Sequence, residues 1–255
     1  MFGPASHNSS TSAAARFRQG QRDLLAAQKP SNGVPAYLRW VNRRAGRFAA
    51  SVAYTLRMTP NTLTAISATC SFTGLLLLIL LPRTVWLGIL VACILALGYV
   101  FDSADGQLAR LYKQKSSAGE WIDHVVDAFR SPTIHAAVAA AVILKSPNEQ
   151  WLAACALIYG VVTSGQFLSQ ILATALLQNA GRPLTRGGNL RSFLLLPTDM
   201  GTLCWCFALW GFHGAFAAVY GILMAIAIVH STTSLKRRHR DLCLLDTLSR
   251  NGEYA

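Results

Sequence analysis

Six apolar stretches, each about as long as a bilayer's hydrocarbon core is thick, run through the chain at 62–81, 84–104, 120–143, 151–178, 193–211 and 214–233. A helix needs about 20 such residues to cross that core. Within lipid every backbone amide must be satisfied inside a helix or a closed barrel. The stretches lack the apolar–polar alternation of barrel strands, so they read as helices. Composition agrees, with 53% of the 255 residues hydrophobic and 13% charged, against about 25% charged in soluble domains. The expected fold is all-α and integral to the membrane: six transmembrane helices plus an N-terminal amphipathic juxtamembrane helix.

Orientation follows from Lys and Arg, which accumulate on the cytoplasmic side. Arg16, Arg18, Arg22, Lys29, Arg39, Arg43, Arg44, Arg47 and Arg57 precede the first span. Arg110, Lys113 and Lys115 join the second to the third, and Arg182, Arg186 and Arg191 the fourth to the fifth. Lys236, Arg237, Arg238, Arg240 and Arg250 follow the sixth. These twenty share one side; the other has only Arg83 and Lys145, with Arg130 inside the third span. Both termini are therefore expected in the cytoplasm, in a multi-pass protein of the cell membrane. The net charge of +12 does not point to nucleic acid, because the basic residues flank apolar blocks instead of interleaving with exposed aromatics. The six cysteines show no paired zinc spacing and read as free thiols.

The chain divides into a disordered cytoplasmic N-terminus (1–34), the juxtamembrane helix (35–57), a six-helix membrane domain (58–235) and a basic cytoplasmic tail (236–255). Along 35–57, Leu38, Val41, Ala45, Phe48, Val52 and Leu56 make one helical stripe and Arg39, Arg43 and Arg47 another. That pattern suits a helix lying on an anionic leaflet, and equally one packed against the spans.

Chemistry concentrates in FDSADGQLARLYKQKSSAGEWIDHVVD at 101–127. Asp102, Asp105, Gly106, Ala109 and Arg110 follow the spacing i, i+3, i+4, i+7, i+8, so they share one helix face. Gly119, Asp123 and Asp127 share a face of the next helix. An Asp at the centre of a span costs roughly 2.5–3.5 kcal/mol, so four left unpaired would cost about 10 kcal/mol. Arg110 and Arg130 are too few to neutralise them. Divalent cations would, and an all-oxygen set suits Mg²⁺, Mn²⁺ or Ca²⁺ rather than zinc.

The pattern D-x2-D-G-x2-A-R-x8-G-x3-D-x3-D, met here at every fixed position, resembles the signature of the CDP-alcohol phosphotransferase (phosphatidyltransferase) family. The run TPNTLT at 59–64 resembles a second, shorter family element. The resemblance implies a six-helix catalytic domain, a cytoplasmic active site and a homodimer. It also implies two divalent cations, Mg²⁺ or Mn²⁺. Asp102 and Asp123 would bind both, Asp105 the first and Asp127 the second, with Asp127 also the general base. Gly106, Arg110 and Ser116 would contact the CDP moiety, with Asn61 and Thr64 assisting and the small Ala109 and Gly119 leaving room beside it. A CDP-alcohol, CDP-diacylglycerol in the usual case, would donate to an acceptor hydroxyl and release CMP.

Other polar residues carry plainer expectations. His124 should point away from the acids, His135 should be a satisfied interior histidine, and the cluster 236–240 should be a membrane-surface patch. Asp199 pairs with an arginine at 182, 186 or 191, or marks a site. Those arginines are topology charges or bind an anionic group. The stretch VTSGQFLSQ at 162–170 has no basic residue, which counts against the usual glycerol-phosphate or inositol-phosphate acceptor. A cation transporter and an inactive scaffold of the same fold are the alternatives to an enzyme.

Overall fold

The computed structural model describes residues 12–26, 33–113, 116–181 and 189–250; Arg182 and Arg186 lie outside them. Among the described residues there is no strand, and the architecture is all-α. Helix α3 (Pro60–Leu80) starts where the Thr59 hydroxyl accepts the Thr62 N–H at 3.2 Å, with Pro60 at the first helical position. Helix α4 (Val85–Leu111) is capped by Thr84 and α5 (Ser117–Lys145) by Ser116, whose hydroxyl accepts the Gly119 N–H at 3.0 Å. A 3₁₀ turn (Pro147–Glu149) leads into α6 (Gln150–Asn179).

By length and composition α3, α4, α6 and the last helix, α9 (His213–Arg250), can each cross a membrane. Helix α5 is long enough, at 29 residues, but carries the acidic cluster in its first half. The fifth apolar run, expected as one span over 193–211, is broken. It forms α7 (Asn189–Leu194), a 3₁₀ turn (Leu196–Thr198), α8 (Met200–Cys206) and another 3₁₀ turn (Phe207–Leu209). Pro197 removes a backbone donor. Asp199 takes an extended backbone and caps α8, its Oδ1 accepting the Gly201 N–H at 2.7 Å while Oδ2 accepts the Leu38 N–H at 3.0 Å. Among the described residues, backbone N–H groups and the Tyr99 hydroxyl, not Arg191, are therefore what the structure sets against this buried carboxylate.

Two expectations at the ends need correction. The 1–34 segment is not uniformly disordered, because α1 (Ala13–Ala26) packs on α2 (Arg43–Thr55). Leu24 is buried and Phe17 meets Phe48 edge-on at 5.7 Å. So short a helix is marginal alone, and its support comes from α2. At the other end no tail begins at 236: α9 runs unbroken for 38 residues, about 57 Å at 1.5 Å per residue, so 236–250 are its last turns.

A π-helical turn (Leu38–Asn42) opens the juxtamembrane segment. On α2 the small residues Gly46, Ala50 and Ala53 are buried, whereas Val41, Phe48, Val52 and Leu56 are exposed. The juxtamembrane helix thus packs by its small face and presents its apolar stripe outwards. Large apolar side chains such as Trp86 (80% exposed) and Val161 (74%) also face outwards, as a lipid-facing surface requires. The core, around Val91, Leu95, Val138, Leu152, Phe207, Trp210 and Tyr220, ties α4, α5, α6, α8 and α9 together. Near the site α3 and α4 approach closely: a Cβ on Gly98 would fall 3.1 Å from the Ser67 carbonyl oxygen.

Candidate active site

Helix α4 ends in a turn where Lys113 takes a positive φ of 54°, and its acidic face meets that of α5. Asp102, Asp123 and Asp127 each offer a carboxylate oxygen, and these oxygens lie within 4.8 Å of one another. Asp105 does not join them. It is buried one turn further along α4, accepting the Thr64 hydroxyl at 2.5 Å on Oδ2 and the Gly106 N–H on Oδ1. Sharing a face placed Asp105 near the cluster; Thr64, one helix away, turns its carboxylate aside.

Arg130 is the residue whose part the sequence reading missed. Its Nη1 donates to Asp102 Oδ1 at 2.8 Å and to Asp127 Oδ1 at 2.9 Å, and Nη2 donates to Ser67 Oγ at 2.8 Å. Ser67 in turn donates to the Gly98 carbonyl at 2.8 Å. The i, i+3 spacing of Asp127 and Arg130 was visible in the sequence; the reach to Asp102 and Ser67 on other helices was not.

The carboxylates form a wall between two cavities. One, of about 500 Å³, lies at the start of α3 and is lined by Asn61, Thr64, Gly106, Ala109, Arg110, Ser116 and Gly119, together with Asp105 and Asp123. All seven residues expected around the CDP moiety thus border one space. His124, expected to face away, lines it too, because a cleft this wide takes in positions beyond a single helix stripe. The Arg110 Nε is buried with no hydrogen-bond partner, and a Cβ on Gly106 would meet only the Arg110 side chain, at 3.6 Å. An orphaned cationic donor beside open space fits an incoming anion. The second cavity, of about 670 Å³, is lined by Asp102, Asp127 and Arg130 and extends between α5, α6 and α9. His135 is buried, with Nδ1 2.6 Å from the Tyr220 hydroxyl, a satisfied interior histidine.

The family model for CDP-alcohol phosphatidyltransferases matches residues 57–233, from the turn before α3 into α9. The chain belongs to the CDP-alcohol phosphatidyltransferase family. No curated protein matches it. Membership identifies a multi-pass membrane transferase that takes a phospho-alcohol group from a CDP-alcohol in phospholipid synthesis. In this CDP-alcohol phosphatidyltransferase three of the four signature aspartates gather as a set able to hold a metal ion.

Proposed function

We propose that the protein transfers a phosphatidyl group from CDP-diacylglycerol to an acceptor hydroxyl, releasing CMP, on the cytoplasmic side of the cell membrane. One observation carries this reading: carboxylates from two helices gather on the wall shared by two cavities, one per substrate. The orientation rests on twenty basic residues against two, and the homodimer on the family resemblance.

The donor set fits hard divalent cations, being all oxygen and anionic. Asp102, Asp123 and Asp127 would hold Mg²⁺ or Mn²⁺; the second ion that the family resemblance implies would draw on Asp105 only after its carboxylate leaves Thr64. When bound, the ions supply positive charge to the diphosphate and to the departing CMP. The chain's own residues do the rest. Arg110, with its unpartnered Nε, takes a phosphate oxygen of the donor, Gly106 lets the donor approach the α4 backbone, and Asn61, Thr64 and Ser116 border the nucleotide. The acceptor occupies the larger cavity. Arg130 holds Asp127 through Oδ1, which leaves Oδ2 to take the hydroxyl proton. The acceptor oxygen forms its bond to phosphorus as the bond to CMP breaks, and the proton leaves through Asp127.

The test is CMP release from CDP-diacylglycerol by the purified protein in vesicles, with Mg²⁺ or Mn²⁺ and a panel of polyols. Asp127→Asn should lower turnover at least a hundredfold, the lower range for loss of a general base. Cation flux indifferent to CDP-alcohols would identify a transporter, and no CMP with any donor–acceptor pair a scaffold.

A further inference from the structure

Outside the acidic cluster, one buried carboxylate joins three elements in the wall of the larger cavity. Asp199 accepts the Gly201 N–H at 2.7 Å, the Leu38 N–H at 3.0 Å and the Tyr99 hydroxyl. Capping α8 would not by itself require a charge, since serine or asparagine caps a helix as well. Holding three donors at once does call for a carboxylate, whose two oxygens only accept. The donors come from α8, from the segment 33–42 ahead of α2, and from α4, where Tyr99 stands one turn before Asp102.

That segment is a strap drawn along the cavity. Gly33, Pro35 and Leu38 line the same space as Asp102 and Asp127. The strap is fastened side chain by side chain to the broken fifth run. The Trp205 indole donates to the Tyr37 hydroxyl at 3.0 Å, Arg39 donates to Asn189 Oδ1 at 2.7 Å, and the Trp40 and Phe193 rings lie 4.9 Å apart. Tyr37 also stacks on Tyr99 with ring centres 6.4 Å apart, and a Cβ on Gly201 would overlap the Tyr37 ring. Both ends of the strap leave ordinary geometry. Gly33 takes a positive φ of 77°, and Leu38–Asn42 is a π turn, a rare form met mostly at functional sites.

Water carries the same kind of hydroxyl as an alcohol, and Asp127 can take a proton from either. If the water oxygen bonds to phosphorus as the bond to CMP breaks, the products are phosphatidate and CMP, with no alcohol joined. A wall that closes over the acceptor suppresses this side reaction by expelling water. We propose that the strap closes over the acceptor in the larger cavity and that Asp199 is its latch, a positioning residue that favours transfer to the alcohol over transfer to water. This rests on the transfer reading, and the experiment separates the two.

The full chain, in phosphatidylcholine vesicles with CDP-diacylglycerol and Mg²⁺, is given glycerol, inositol and their phosphates together. Phosphatidate is then measured against the alcohol-bearing lipid. That ratio does not depend on how much of a variant folds. Asp199→Asn keeps the size and the cap but turns an amide towards one of the donors; Tyr37→Phe keeps the ring and loses the Trp205 bond. A hydrogen bond to a charged group biases an equilibrium roughly tenfold to a hundredfold. Asp199→Asn should therefore raise the ratio about tenfold, and Tyr37→Phe less. Arg83→Met, at the far end of the bundle, should leave it unchanged. An unchanged ratio in Asp199→Asn would overturn the proposal, as would an equal rise in Arg83→Met or a wild type that makes as much phosphatidate as product. The latch is also read without turnover. The thiol introduced by Asp127→Cys should react with a small methanethiosulfonate about tenfold faster once Asp199→Asn is added, the modified peptide being identified by mass. Neither CMP nor phosphatidate from the wild type would sink the transfer reading; a thiol rate that still depends on Asp199 would leave the latch standing, and equal rates would overturn it too.

Discussion

Replacing Arg130 with methionine keeps the side chain's bulk and removes its charge from between Asp102 and Asp127. The guanidinium is buried and bonded to both carboxylates and to Ser67. Without it, two carboxylates up to 4.8 Å apart repel by about 3.5 kcal/mol at an effective dielectric of about 20. That agrees with the roughly 3–5 kcal/mol lost when one partner of a buried ion pair is removed. Arg130→Met should therefore lose about 3–5 kcal/mol in reversible unfolding in mixed micelles with a chelator present. A divalent cation at a hundredfold excess over its dissociation constant adds about 2.7 kcal/mol to whatever binds it. The variant should gain more from Mg²⁺ or Mn²⁺ than the wild type does, because in the wild type the ion competes with Arg130 for the same oxygens. Arg130→Lys, charged but without the fork, should fall between. A loss under about 1 kcal/mol with chelator, or equal gains from metal in the two proteins, would show that guanidinium and ion do not share these carboxylates.

Thr64→Val removes the hydroxyl donated to Asp105 and leaves a buried carboxylate one partner short, at a cost of about 1–3 kcal/mol. CMP binding in the smaller cavity should weaken, while the acceptor KM changes less. At the far end of the bundle, Arg83 bonds to Glu149 at 2.6 Å, Ser146 at 2.8 Å and the Trp210 carbonyl at 2.8 Å. Arg83→Met should cost about 3–5 kcal/mol of stability and leave both substrate KM values within about twofold, as read by unfolding and CMP release in parallel.

How far the sequence reveals this molecule depends on which distances local spacing controls. Helical periodicity placed Asp102, Asp123 and Asp127 on faces that meet, because two helices joined by a short turn leave little freedom in how those faces pair. It could not tell that Asp105 would bond to Thr64, or that Arg130 would bridge to Asp102, since both partners come from another helix. Apolar length marked 193–211 as a span because a running count of apolar residues ignores backbone continuity; Pro197 and Asp199 were the visible signs of the break. Helix α1 escaped notice for the opposite reason, as its few apolar residues gain support only once α2 is beside it. The basic cluster after 235 is mostly exposed, as expected; that Arg237 and Arg238 also border the larger cavity depends on α9 continuing without a turn.

That continuity has a mechanical side. No proline interrupts α9 after His213, so the rod long and apolar enough to cross a bilayer is the same rod that carries Arg237 and Arg238. Helix tilt answers to the thickness of the surrounding lipid, and a rod without a joint passes any tilt along its length. The spacing between these arginines and Asp127 on α5 is thus coupled to the bilayer, which makes lipid chain length a variable that the cavity can feel.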